Sequence, residues 1–212
     1  MRSVSILLTV VAVVLVGCGG SPRGPTAPSG QLSIEIPTNP ITSGTSVQAT
    51  ASTRTGSGNP TSAPDVKWAS ANPAIAAITS DGLITGNLKG TSAITATSGS
   101  LTAQMQVTVV PGVPAVVTIY AGNGQSGPGG SRLPDPLCTN VKDAAGNQII
   151  GVAVSYSVAT GGGTLEAPTS PVTGPDGIAI AGVWTLGATV GPQTVVAAVS
   201  GATSAIFTAT AR

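Results

Sequence analysis

Gly151-Val152-Ala153-Val154-Ser155-Tyr156-Ser157-Val158 places branched or aromatic side chains at every second position, with small residues between them. Successive side chains of a strand point to opposite faces, so a period of two buries one face and leaves the other to solvent. A second run, residues 178–186, reads the same way and predicts Ile178, Ile180, Trp184 and Leu186 on one core face. Around these two, residues 115–120, 137–142, 195–200 and 203–209 supply further strands, the last carrying Phe207. Six short strands separated by glycine, proline and asparagine read as an all-β sandwich.

An earlier stretch repeats the pattern. Leu32, Ile34 and Ile36 alternate with Ser33 and Glu35, and apolar runs follow at 45–53, 66–69, 75–79, 83–86, 91–97 and 101–110. Each is bounded by turn-forming residues, and Ser80-Asp81-Gly82 marks a tight hairpin because glycine takes positive φ without steric cost. Seven strands in this span read as a second sandwich. Val110-Pro111-Gly112-Val113-Pro114 joins the two units, and its prolines predict a short, stiff joint.

Composition agrees with an all-β chain. Of 212 residues 41% are apolar, only 7% charged and 2% aromatic. Eight basic residues face seven acidic ones, and losing a leader that carries Arg2 would leave seven against seven. No field then exists to steer a nucleic acid or an anionic surface.

The N-terminus reads as an address. Arg2 gives a positive start, residues 4–16 an apolar run, and Leu15-Val16-Gly17-Cys18 resembles the lipobox of bacterial lipoprotein precursors. The resemblance implies cleavage before Cys18, lipidation of its sulfur, and a mature protein of 195 residues. The apolar run falls short of the ~20 residues a spanning helix needs. Residues 1–17 are therefore expected to be a signal peptide and 18–30 a Pro/Gly/Ser tether, whose Gly19-to-Gly30 part reaches up to ~40 Å. Gly19 lacks the acidic side chain that holds such lipoproteins at the inner membrane, so a two-membrane cell would carry this one in its outer membrane.

Two family resemblances cover the rest. Val66-Lys67-Trp68-Ala69-Ser70-Ala71-Asn72-Pro73, Asp81-Gly82-Leu83-Ile84-Thr85-Gly86 and Gly90-Thr91-Ser92-Ala93-Ile94-Thr95-Ala96-Thr97 make residues 31–110 similar to a bacterial Ig-like domain of group 2. Val141-Lys142-Asp143-Ala144-Ala145-Gly146-Asn147, Gly161-Gly162-Gly163-Thr164-Leu165, Asp176-Gly177, Trp184-Thr185-Leu186-Gly187 and Phe207-Thr208-Ala209-Thr210-Ala211 make residues 114–212 resemble one of group 1, the invasin and intimin type. The resemblances imply tandem Ig-like sandwiches in an envelope protein without catalysis. Cys138-Thr139-Asn140 departs from the aliphatic run usual in that family, which predicts a less tightly packed strand.

Catalytic readings find little support. Gly122-Asn123-Gly124-Gln125-Ser126-Gly127 matches a dinucleotide fingerprint, but Pro128-Gly129-Gly130 follows where that motif needs a helix. The chain lacks histidine, and with Cys18 lipidated one cysteine remains, which removes zinc chemistry. The carboxylates Glu35, Asp65, Asp81, Asp135, Asp143, Glu166 and Asp176 are scattered; calcium at the joint and a paired-carboxylate glycosidase stay open without a motif behind them. No catalytic residue, metal site, cofactor or small-molecule substrate is therefore expected. Trp68 and Trp184 fit core packing by phase, with sugar stacking as the alternative. Cys138 reads as half-covered, or as an exposed thiol able to cross-link copies.

Strand parity puts three connections, 121–136, 160–171 and 187–193, at the end of the second unit away from the joint. Arg132, Asp135 and Glu166 are their charged residues and the candidate contacts for a protein or glycan partner. Three function classes remain: adhesion or recognition, a structural spacer or envelope subunit, and, remotely, an enzyme with an unrecognised site.

Overall fold

A computed structural model describes residues 30–212; the leader, Cys18 and the tether up to residue 29 lie outside the described residues. The described chain is all-β and divides into two compact units, the first ending at Val110 and the second beginning at Pro111.

The first unit holds β1 (Gly30–Glu35), β2 (Ile41–Thr42), β3 (Ser46–Gln48), β4 (Thr50–Thr55), β5 (Thr61–Ser62), β6 (Lys67–Ser70), β7 (Ala76–Ile78), β8 (Leu83–Gly86), β9 (Gly90–Ser98) and β10 (Leu101–Val110). They pair in the orders β1-β4-β5, β2-β10-β9-β6 and β3-β8-β7. The run 45–53, expected as one strand, is two. It breaks at buried Ala49, whose N–H donates to Gly82 O (2.9 Å), so β3 pairs with β8 while β4 pairs with β1 and β5. Gly82 closes the β7–β8 hairpin at φ 85°, and a Cβ there would stand 2.9 Å from Ala49 O and 3.0 Å from Trp68 Nε1. Glycine is required twice over, by conformation and by space. Leu32 and Ile34 are buried as their alternation predicts, and half-buried Trp68 packs against both apolar clusters of the unit.

The second unit holds β11 (Val116–Ala121), β12 (Gln125–Gly127), β13 (Arg132–Lys142), β14 (Ser155–Thr160), β15 (Gly163–Leu165), β16 (Ile178–Leu186), β17 (Gly191–Ala198) and β18 (Ala205–Ala211). One sheet runs β11-β13-β16-β15, the other β12-β18-β17-β14. Their facing sides bury Leu133, Leu137, Val141, Val154, Tyr156, Trp184, Leu186, Val195 and Phe207. Val152, Val154, Tyr156 and Val158 share the core face as read.

The reading of 178–186 needs correcting. Ala179 and Ala181 face the core, whereas Ile180 is 56% exposed. The register shifts from Cys138↔Ile180 to Pro136↔Val183, giving β16 one extra residue and reversing its parity, so Trp184 and Leu186 still point inward. Gly182 sits in that bulge, where a Cβ would collide with the Glu166 carbonyl oxygen.

The stretch 138–140 is also not loosely packed. Cys138, Thr139 and Asn140 are all buried, and the Thr139 hydroxyl shares a 2.6 Å hydrogen bond with Tyr156 across the sandwich. Tyr156 further donates to Ala179 O (3.2 Å), and burial pushes its phenol up to about 12. Cys138 is 7% exposed, and burial raises its thiol too, so neither the half-covered nor the exposed reading of this residue holds.

Candidate functional site

The connections expected as loops at the far end of the second unit are shorter than the sequence suggests. The span 121–136 contains β12 and the start of β13, and 160–171 contains β15. The G-x-G-x-x-G stretch thus runs into a strand, and β12 pairs parallel with β18.

Parts of the three connections meet at one pole, whereas residues 166–171, expected there too, run down the side of the unit, where Tyr156 N–H donates to Thr169 O (2.8 Å) and Val154 N–H to Pro171 O (2.9 Å). Gly130 N–H donates to Gly187 O (3.2 Å), Leu186 N–H to Ser131 O (2.9 Å) and Gly129 N–H to Arg212 O (3.2 Å). At their centre lies Gln193, fully buried at the start of β17. Its Oε1 accepts the Gly187 N–H (2.8 Å), and its Nε2 donates to Gly187 O (3.1 Å) and Thr189 O (3.0 Å). Gly161 lies so close that a Cβ would collide with the Gln193 side chain, and one on Gly187 would meet the Gly161 carbonyl. These glycines are there for close backbone approach, so the pole is a fastened surface rather than slack loops.

Arg132 and Glu166 come together at its rim. Nε donates to Oε1 (2.6 Å) and Nη2 to Oε2 (3.0 Å), a two-pronged pair between exposed side chains. The hydrogen bond from Arg132 holds the Glu166 carboxyl below its ordinary range, and Glu166 raises the guanidinium in return. Asp135 is not brought into this pair. Its backbone is fixed instead by Gln125, whose Oε1 accepts the Asp135 N–H (3.0 Å) and whose Nε2 donates to Asp135 O (3.0 Å).

The opposite pole, nearest the joint, is built on Asp143. Its Oδ1 accepts the N–H groups of Ala145 (3.0 Å) and Asn147 (2.8 Å), and its Oδ2 those of Gly112 (2.9 Å) and the Asn147 amide (2.8 Å). Burial alone would raise this carboxyl, but hydrogen bonds from Gly112, Asn147 and Ala145 outweigh it and hold it low. Trp184 is fully buried, so it offers no sugar platform, and Trp68 is half-buried within its own unit. Among the described residues no three His, Cys, Asp or Glu side chains gather as a metal site would require.

Sequence reasoning missed Gln193 and Asn123. Gln193 shares parity with buried Val195 and Ala197, and a polar residue in a core phase was the available signal. Asn123 accepts the Thr208 N–H (2.8 Å), a contact across 85 residues that no local pattern announces.

Residues 37–109 match the bacterial Ig-like domain (group 2). No curated protein matches the chain. Among solved structures, the chain is similar to the Escherichia coli adhesin FdeC, at 20% identity and a TM-score of 0.54, over 84% of this chain and 64% of that one. It is also similar to the D00–D0 domain of intimin (16% identity, TM-score 0.46, 83% of this chain and 98% of that one). A third likeness is to the S-layer protein rSbsC(31-844) (17% identity, TM-score 0.39, 86% of this chain and 28% of that one). The chain therefore spans under two thirds of the adhesin and under a third of the S-layer protein. The alignment with the adhesin shows a shared all-β, Ig-like fold, and residues 37–109 are similar to the group 2 bacterial Ig-like domain.

Proposed function

We propose that this chain is a non-catalytic protein, anchored to the cell envelope through lipid on Cys18, that recognises a protein or glycan at the far pole of its second unit. The observation that carries the reading is the tied pole: backbone bonds join residues 129–131 to Leu186, Gly187 and Arg212, and Gln193 locks the 187–193 turn with Gly161 packed against it. Recognition residues work best on such a rigid support. Arg132, Glu166 and Asp135 are the contacts in this reading; Arg132 Nη1 takes no part in the Glu166 pair and can still donate to a partner. The closed turn on Asp143 supports reading the second unit as an Ig-like domain of group 1, and the fold is shared with a protein described as an adhesin. Outer-membrane placement follows from Gly19 and belongs to the same proposal.

The test is adhesion of cells displaying the chain to arrays of glycans and immobilised proteins. Arg132→Ser, Asp135→Ser and Glu166→Ser combined should abolish capture while folding and surface display persist; unchanged capture overturns the assignment. Labelled palmitate should enter the wild type and not Cys18→Ser.

A second reading, a spacer or envelope subunit that packs sideways, is favoured by one feature. On the β11-β13-β16 sheet Cys138 pairs with Ala121 and with Ile180 (56% exposed), and Tyr120 (63% exposed) stands in the bulge next to Ala121, so large apolar side chains are exposed there. If capture resists the triple variant, and Tyr120→Ser with Ile180→Ser disperses an envelope complex, this reading replaces the first.

A further inference from the structure

Both units contain the same device, although their sequences differ. In each, a short strand near the beginning pairs parallel with the last strand: Ile41↔Val109 and Thr42↔Val110 in the first, Gln125↔Ala209, Ser126↔Thr210 and Gly127↔Ala211 in the second. In each, an asparagine stands two residues before the parallel strand, Asn39 before Ile41 and Asn123 before Gln125. Its Oδ1 accepts the N–H of the threonine just before the first paired residue of the last strand. Thr108 donates to Asn39 (3.0 Å) and Thr208 to Asn123 (2.8 Å). Asn39 Nδ2 adds a bond to Gln106 O (2.9 Å), and the Thr208 hydroxyl adds one to Asn123 (3.3 Å). The carboxamide thus extends each parallel ladder by one rung.

Each unit is also threaded from pole to pole. Gly30 lies beside Leu101, at the start of β10, while the chain leaves the first unit at Val110, the other end of that strand. The second unit is entered beside Lys142, where Ala115 N–H meets Lys142 O (2.9 Å), and is left at Arg212, whose N–H meets Gly127 O (2.9 Å). Tension along the chain therefore drags the two strands of each parallel pair in opposite directions along their length. Loaded this way, the rungs share the force and must break together, whereas peeling would break them singly.

We propose that these parallel pairs are load-bearing clasps, each closed by one asparagine, Asn39 or Asn123, and that the chain functions under tension. The proposal holds for an adhesin or a spacer alike and depends on no ligand. The second clasp is the longer, because Thr203 N–H to Ala115 O (3.0 Å), Val117 N–H to Thr203 O (2.9 Å) and Gly124 N–H to Thr208 O (2.9 Å) reinforce it. The first unit should yield first.

The experiment stretches the whole chain between handles at its two ends in an optical trap. Two ruptures are expected, identified by the different lengths of chain they release. At fixed load Asn39→Ala should speed the first about tenfold or more and leave the second alone, and Asn123→Ala the reverse, as loss of the strained rung together with the second bond each asparagine makes implies. Asn123→Asp keeps the acceptor and should keep the wild-type rate, which separates the bond from general disruption. Handles at Thr45 and Val113, both on the Val110 side of the first clasp, would peel it instead, at a severalfold lower force. Equal forces in the two directions, or alanine variants that rupture at the wild-type rate under load, overturn the proposal.

Discussion

At the residue scale the chain relies on a few polar side chains placed where aliphatics would be expected. Asp143 is the clearest, buried and accepting four hydrogen bonds at the joint-side pole. A carboxyl held below its unfolded value contributes stability that is present above the unfolded value and lost as pH falls through the folded one. The second unit should therefore weaken as pH drops below about 4. Asp143→Asn should flatten that acid dependence and cost about 2 kcal/mol at neutral pH, since an amide accepts from fewer of the four donors. Denaturation followed by Trp184 fluorescence across pH checks it; an unchanged acid slope would show that another group is responsible. Asp143 was visible in the sequence only as part of a resemblance, because nothing local says that a carboxylate before Ala-Ala-Gly-Asn will be buried. Arg132 and Glu166 were legible as exposed charges of the far pole, but their mutual pairing was not, since it depends on β15 returning to β16.

At the element scale, alternation identified strands well and failed where a strand changes phase. Residues 152–158 keep one parity throughout, and their core face follows directly. In β16 the same rule put Ile180 inside, when the bulge at Gly182 puts Ala179 and Ala181 there instead. The glycine within an apolar run was the signal that the phase could slip. The two readings differ measurably. Ile180→Thr should stay within about 0.5 kcal/mol of wild type, as surface changes do, whereas Ala181→Thr should cost roughly 1 to 3 kcal/mol by overpacking and by burying a hydroxyl. Midpoints of chemical denaturation decide the matter, and the reverse order would restore the simple alternation. The split of 45–53 into β3 and β4 has the same origin, a sheet change at Ala49 that burial patterning cannot register.

At the scale of the whole molecule, class and architecture were legible because a low-charge chain rich in Thr, Ser, Val, Ala and Gly, with short alternating runs, has few other ways to bury its apolar surface. Each unit has its own core and one tryptophan, so each can be followed alone. Trp68→Phe and Trp184→Phe variants should report different denaturation midpoints; coincident curves would mean a single cooperative transition. Trp184→Ala should cost about 3 to 5 kcal/mol, and Trp68→Ala less, because Trp68 is only half-buried. The pole-to-pole threading has a consequence for how such a chain can change over generations. A unit that is entered at one end and left at the other can be copied in frame without rewiring any strand, each copy beginning where the previous one stops. Unequal recombination across residues 111–212 would then alter the contour of the protein in whole-unit steps, a ruler adjustable by copy number while every repeat keeps its own fold.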